Sequence, residues 1–514
     1  MKKIIFLILL NSTIASLLNQ NRVYATDSEY IPNLPKILPV SPNAASLGQY
    51  GKTPISYYNG TTNINIPFYE IEIGGQKQSI AISYHSSGIK VAQEASWVGL
   101  GWSLNAGGCI TRECIDGDDF HDTKTMPYYF NDYIDPTSSN HSEVDFSSYD
   151  TEPDIFYFNF GEFSGSMFFT KGTTRTPIAK IKSCNKYIEA TYDINKRSWL
   201  IKDGNGLKYY FGGSSSSRDI SSGNNVSHEF RSEIPPALGG VIPSFRSAIT
   251  AWYVDSIVAP NHDKIEYQYT TELISTVTNL NEDIRIKQSI LEGGVNCSAD
   301  KDFFKDFSYS NADIQQCILR KIKFKNGEIN FSTSNRDDIS ANLDTEAQKL
   351  EQITIRNNSE EIKSYHFSYN YLGNQSKSID CRLLLNKITE QINNTALNNY
   401  EFTYNMGYLP PKDSPQIDFW GFYNNSSNPV TGYGALIPSM LLYNTNGHQL
   451  PMPGRDRTPN AECMQHGMLQ SIKYPTGGTS QFTYEPHEFN NGFNLCYKDT
   501  TLTETVGLRY DETV

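Results

Sequence analysis

Leu469-Gln470-Ser471-Ile472-Lys473-Tyr474-Pro475-Thr476-Gly477-Gly478-Thr479-Ser480-Gln481-Phe482-Thr483-Tyr484 is the stretch that decides the fold. A Leu-x-x-Ile pair leads into a Pro-Thr-Gly-Gly turn, and the chain returns through Phe482 and Tyr484. Apolar and polar residues alternating at period two mark a half-buried strand. Two such strands about a Gly-Gly or Asn-Gly turn make a hairpin. The phrase recurs upstream. Leu319/Ile322 leads through Asn326-Gly327 to Ile329 and Phe331. Leu350/Ile353 is followed by Tyr365, Phe367 and Tyr369, and Leu385/Ile388 by Tyr400, Phe402 and Tyr404. A looser copy, Val254/Ile257, precedes Pro260-Asn261 and then Ile265, Tyr267 and Tyr269. The expected fold class is all-β, made of repeated antiparallel hairpins. Such a chain builds a surface or a container more readily than one catalytic pocket.

Composition agrees. Among 514 residues there are 33 Tyr, 26 Phe and 36 Gly. Aromatic side chains suit a pleated face, and glycines supply turns. The length predicts two or three domains or one repeat array. A net charge of -13 argues against a nucleic-acid partner, which needs clustered Lys and Arg, and against an anionic membrane surface.

Residues 1–25 read as a secretory signal peptide. Lys2 and Lys3 precede the apolar run Ile4 to Leu10, and Val23-Tyr24-Ala25 offers a cleavage site. No Cys follows that run, so no lipid anchor is expected. No later stretch is long and apolar enough for a transmembrane segment. The protein is expected to be exported to the periplasm, the cell surface or the medium. Downstream, 26–130 reads as an N-terminal β-domain with a Trp/Gly-rich corner (Trp97 to Gly108). Residues 131–250 read as a second β-domain, with Gly213 to Ser227 as a low-complexity loop, and 251–514 as the hairpin-repeat region.

Eight cysteines are scattered along the chain, unlike a dense disulfide framework. Cys109-x4-Cys114 with His121 lacks the second close pair of a zinc site. Asp116, Asp118, Asp119 and Asp122 lack the glycine and terminal glutamate of a calcium loop. Buried thiols or a local disulfide, and a solvated loop, are the expectations there. No metal and no cofactor is expected.

Several segments resemble the N-terminal region of exported bacterial Rhs/YD-repeat proteins. They are Ser41-Pro42-Asn43-Ala44-Ala45-Ser46-Leu47-Gly48, Tyr84-His85-Ser86-Ser87-Gly88-Ile89-Lys90-Val91 and Trp97-Val98-Gly99-Leu100-Gly101-Trp102-Ser103-Leu104. Trp252-Tyr253, Leu409-Pro410-Pro411, Asp418-Phe419-Trp420-Gly421-Phe422-Tyr423-Asn424 and Leu469 to Gly478 add to them, and their order is shared. The resemblance implies an extended, spiralling sheet or partial shell, of the kind that encloses a toxin in toxin-complex proteins. Val506-Gly507-Leu508-Arg509 resembles the entry to the next repeat region. The chain is therefore expected to be the front part of a split or truncated polymorphic-toxin carrier, or a stand-alone scaffold. Its expected partner is a downstream Rhs core/toxin chain, or another copy, at an exposed sheet edge.

Catalytic signals are weak. Gly161-Glu162-Phe163-Ser164-Gly165 has its Ser one place late for a nucleophile elbow. No phosphate loop and no His-Glu-x-x-His occurs. A non-enzymatic protein is expected. The alternative is a cell-surface glycan-binding or adhesion module, with Asp418, Trp420 and Tyr423 as the candidate interaction surface. Aromatics there could instead be core, which is the favoured expectation.

Overall fold

The computed structural model describes residues 40–52, 64–114, 153–171, 177–228, 247–286, 303–341, 346–358, 360–375, 378–393, 395–427, 436–443, 449–452 and 454–486. The fold is antiparallel β-sheet almost throughout. Each copy of the recurring phrase is a hairpin. Strands Gln348–Asn357 and Glu360–Gly373 pair, as do Cys381–Ile392 and Thr395–Tyr404. Leu469–Lys473 carries the final hairpin with Thr479–Gln481. These strands follow one another in sequence order across one sheet.

The Leu-x-x-Ile spacing has a structural cause. In a regular strand, residues three apart point to opposite faces. Here both members are buried in all five copies, from Val254/Ile257 to Leu469/Ile472. The ladder shifts register between them each time. Tyr210 pairs with Ser256 but Phe211 with Val254. Gln268 pairs with Lys321 but Tyr269 with Leu319. The same one-residue skip falls at Glu351, Asn386 and Gln470. The extra residue is a β-bulge, which returns the second apolar side chain to the core and strengthens the local twist. A bulge at the same place in the first strand of each hairpin bends the sheet repeatedly.

A second, three-stranded sheet covers the repeats. Ile64–Ile73 and Gln76–Tyr84 form a hairpin about Gly74-Gly75, both at positive φ as a tight I′-type turn requires. Trp102–Asn105 pairs with the second strand. Phe68 packs on Tyr365 at 4.7 Å between ring centres, and Trp102 on Phe402 at 4.9 Å. The Trp/Gly corner is a packed element, as expected. Leu100 N–H donates to the Leu383 carbonyl at 2.8 Å, and Leu350 N–H to the Trp97 carbonyl at 2.8 Å. Gly99 sits at φ +119°, where a Cβ would come within 3.1 Å of the Leu385 nitrogen.

The remaining strands curl back on themselves. Cys109–Glu113 pairs with both Ile155–Phe160 and Ala248–Val258. Phe169 stacks on Trp199 at 5.2 Å, and Phe156 lies 5.8 Å from Trp252. Hydrogen bonding therefore runs continuously between segments assigned to three different regions by sequence.

One expectation changes, the loop at Gly213 to Ser227. Upstream, Pro42 opens the helix Pro42–Lys52. Ser41 caps it, accepting from Ala44 N–H at 3.1 Å, and Pro42 takes the first position, where no N–H is needed. Of Gly213 to Ser227, only Gly213 to Ser217 lies outside a strand: Arg218–His228 is a strand paired with Ala248–Val258 and Phe303–Phe324. Tertiary pairing overrides weak β-propensity there. Along Ile155–Phe160 the buried face is Phe156, Phe158 and Phe160, while Ile155, Tyr157 and Asn159 are half-buried. Cys109 and Cys114 are buried in separate packing clusters. Residues 1–39, His121, the Asp116–Asp122 loop and Val506–Arg509 lie outside the described residues. Among the described residues no helix is long and apolar enough to cross a membrane.

Candidate functional site

The Asp418–Tyr423 turn is built from the sheet outward. Arg382, at the start of the strand Cys381–Ile392, is fully buried and donates to the carbonyls of Val91 at 2.6 Å and Pro410 at 2.9 Å. Val91 N–H then donates to the Gly421 carbonyl at 3.0 Å. A Cβ on Gly88 would sit 2.6 Å from the Phe422 ring, so the 85–91 segment must pass close to the turn. Arg336 and Asp338 meet in a bidentate pair with both contacts at 2.7 Å. Arg336 also donates to the Ser96 and Ala95 carbonyls.

Asp418 organises the turn itself. One carboxylate oxygen accepts from Trp420 N–H at 2.8 Å and Phe422 N–H at 2.9 Å. Asp418 N–H donates to the Phe422 carbonyl at 2.8 Å. Gly421 at φ +91° supplies the reversal. Asp418 is fully buried, so it is a structural acid rather than a ligand-facing one.

The turn presents aromatics. Trp420 is 70% exposed and Phe419 64%. The expectation that they are core is corrected: among the described residues the short turn projects them past the sheet, with no opposing layer to cover them. Arg457 lies over the Phe419 ring at 5.2 Å and donates to the Asp418 carbonyl at 2.7 Å. Tyr423 is the exception. It is buried at the foot, near Tyr408 and His466 at 5.9 and 5.8 Å between rings. The three candidate residues thus divide: Asp418 and Tyr423 hold the turn, and Trp420 faces solvent. Arg457 and Phe419 complete the surface. Arg457 carries no periodic or motif signal that sequence reading could use. An exposed ring pair beside a guanidinium offers stacking and planar hydrogen bonding, without a placed acid–base pair. Among the described residues, no group of three or more His, Cys, Asp or Glu is placed to hold a metal.

No protein-family model matches the chain, and no curated protein matches its sequence. Solved structures align weakly. TcdB2-TccC3 aligns at a TM-score of 0.32 and 11% identity, over 87% of this chain and 20% of that one. A mutant Tc holotoxin pore of Photorhabdus luminescens gives 0.30 and 12%, over 82% and 18%. The N-terminal domain of the effector protein SpvB from Salmonella typhimurium strain LT2 gives 0.28 and 12%, over 64% and 98%. The chain spans about a fifth of the length of the first two. At these scores the likeness carries no argument about this chain's activity.

Proposed function

We propose that this chain is a non-enzymatic, exported scaffold of the Rhs/YD-repeat type, the wall of a partial shell. The observation that supports it most is the bulge repeated at Asp255, Arg320, Glu351, Asn386 and Gln470. A sheet bent at the same point in the first strand of each hairpin curves steadily, as a wall must. Among the described residues the last strand, Thr479–Gln481, pairs with Leu469–Lys473 and with no other strand. A further strand from a downstream Rhs core/toxin chain, or from another copy, is the proposed partner at its other edge, because open edges recruit strands. Co-expression of the mature chain with the product of an adjoining downstream reading frame tests this. A stable complex lost on Gln481→Pro supports the reading, and two non-associating proteins count against it.

Exposed Trp420 and Phe419 favour a second reading, a glycan-binding or adhesion surface. Binding on a glycan array that Trp420→Ala abolishes without unfolding would support it. Array binding unchanged in that variant would remove it.

A further inference from the structure

The end of the sheet holds an open cleft of about 480 Å³, within the range of about 300–1,000 Å³ common for ligand sites. Three strands supply its floor. Thr403 lies opposite Ser471, and Ser471 opposite Gln481. Directly opposed residues share a sheet face, so two hydroxyls and a carboxamide form one row. Gln470, the bulge residue, is exposed beside them, and Asn405 and the half-buried Phe482 are among the other lining residues.

Every side chain lining this cleft is uncharged. Carboxamides and hydroxyls each donate and accept. A phosphorylated or acidic ligand would call for Lys or Arg in the lining. A purely apolar ligand would strip water from amides without replacing their hydrogen bonds, which is costly. A neutral ligand with many hydroxyls matches the lining on both counts. Some groups are already engaged: the Thr403 and Ser471 hydroxyls share a hydrogen bond at 2.6 Å, and the Asn405 side-chain oxygen accepts from Gly407 N–H at 3.0 Å. Those bonds fix the floor. The exposed Gln470 and Gln481 carboxamides are the adjustable contacts.

We propose that this cleft is a binding site for a neutral saccharide, with Gln470 and Gln481 as its hydrogen-bonding residues and Phe482 as its apolar wall. The site is separate from the Trp420 turn and does not rest on the scaffold reading.

The test uses the full mature chain with chitotetraose, cellotetraose and xylotetraose, against a heparin tetrasaccharide as the anionic control. Saturation-transfer NMR and calorimetry read binding. At least one neutral tetrasaccharide is expected to bind with an affinity insensitive to salt. The Gln470→Ala/Gln481→Ala double variant should weaken it roughly tenfold or more with an unchanged melting curve, since both residues are exposed. No binding of any neutral probe at ~10 mM would overturn the proposal. So would binding that the double variant leaves intact, or a salt-sensitive preference for heparin.

Discussion

The Trp102 indole N–H donates to the Tyr404 hydroxyl at 2.8 Å, joining residues 302 positions apart. That hydroxyl in turn donates to the Leu385 carbonyl at 2.7 Å. The chain of bonds locks the Trp/Gly corner onto the repeat sheet inside a dry core. Tyr404→Phe leaves a buried indole N–H and a buried carbonyl unsatisfied. It should cost about 1–3 kcal/mol, read as a lower denaturant midpoint with an unchanged slope.

The bulges make a sharper prediction. Deleting Asn386 restores strict alternation and turns either Leu385 or Ile388 toward solvent. Exposing one fully buried aliphatic side chain should cost about 2–5 kcal/mol. Asn386→Ala keeps the count and should change stability by no more than about 0.5 kcal/mol. Equal stability of the two variants in urea would show that the bulge does not set the phase.

Two buried carboxyls make stability depend on pH. Burial pushes Glu272 up to about 7, against the pull of Gln316, Arg336, the Gln348 N–H and Arg320. Burial likewise pushes Asp219 up to about 6, against Ser41, the Cys317 N–H and Tyr253. In the unfolded chain both ionise near ~4, so the folded state holds more protons between there and about 7. Stability should therefore fall as pH rises through that window and level off above it. Burial also disfavours the charged form of Asp338, but Arg336 outweighs it and holds that carboxyl below its usual range. Its contribution is lost only on strong acidification. The unfolding free energy from urea titrations should be higher at pH 5 than at pH 8, by on the order of 3–4 kcal/mol. Glu272→Gln should remove the upper part of the slope.

Exposed Trp420 should matter to binding rather than folding. Trp420→Ala is expected to shift stability by less than about 0.5 kcal/mol. Asp418→Ala removes the acceptor for two turn N–H groups and should cost about 1–3 kcal/mol. Thermal unfolding of both variants separates the roles.

The hairpins were legible because alternation and turn chemistry are local. Gly74-Gly75 and Asn326-Gly327 name their own turns. The five bulges were visible as Leu-x-x-Ile spacing but not as bulges, because a spacing of three fits neither face of a regular strand until the ladder is known. The Ser41-Pro42 cap is a readable helix start. Strand Arg218–His228 depends on partners supplied from Ala248–Val258 and Phe303–Phe324, which its own Ser/Gly/Asn sequence does not announce. At the candidate site, the Asp-x-x-Gly of the turn was local and readable. The exposure of Trp420 and the placement of Arg457 depend on which layer covers what, and no local pattern carries that.

The scaffold account turns on the outer edge of Thr479–Gln481. Gly478 C=O accepts from Tyr474 N–H, and Phe482 N–H donates to Gln470 C=O. By alternation, the N–H groups of Thr479 and Gln481 point away from the sheet. Hydrogen exchange at those two amides, with the mature chain alone and then with its co-expressed downstream neighbour or at a concentration where copies associate, is the most direct measurement. The account predicts fast exchange in the isolated chain and strong protection in the assembly, abolished by Gln481→Pro. Amides that exchange equally fast in a strictly monomeric chain under every condition would contradict it.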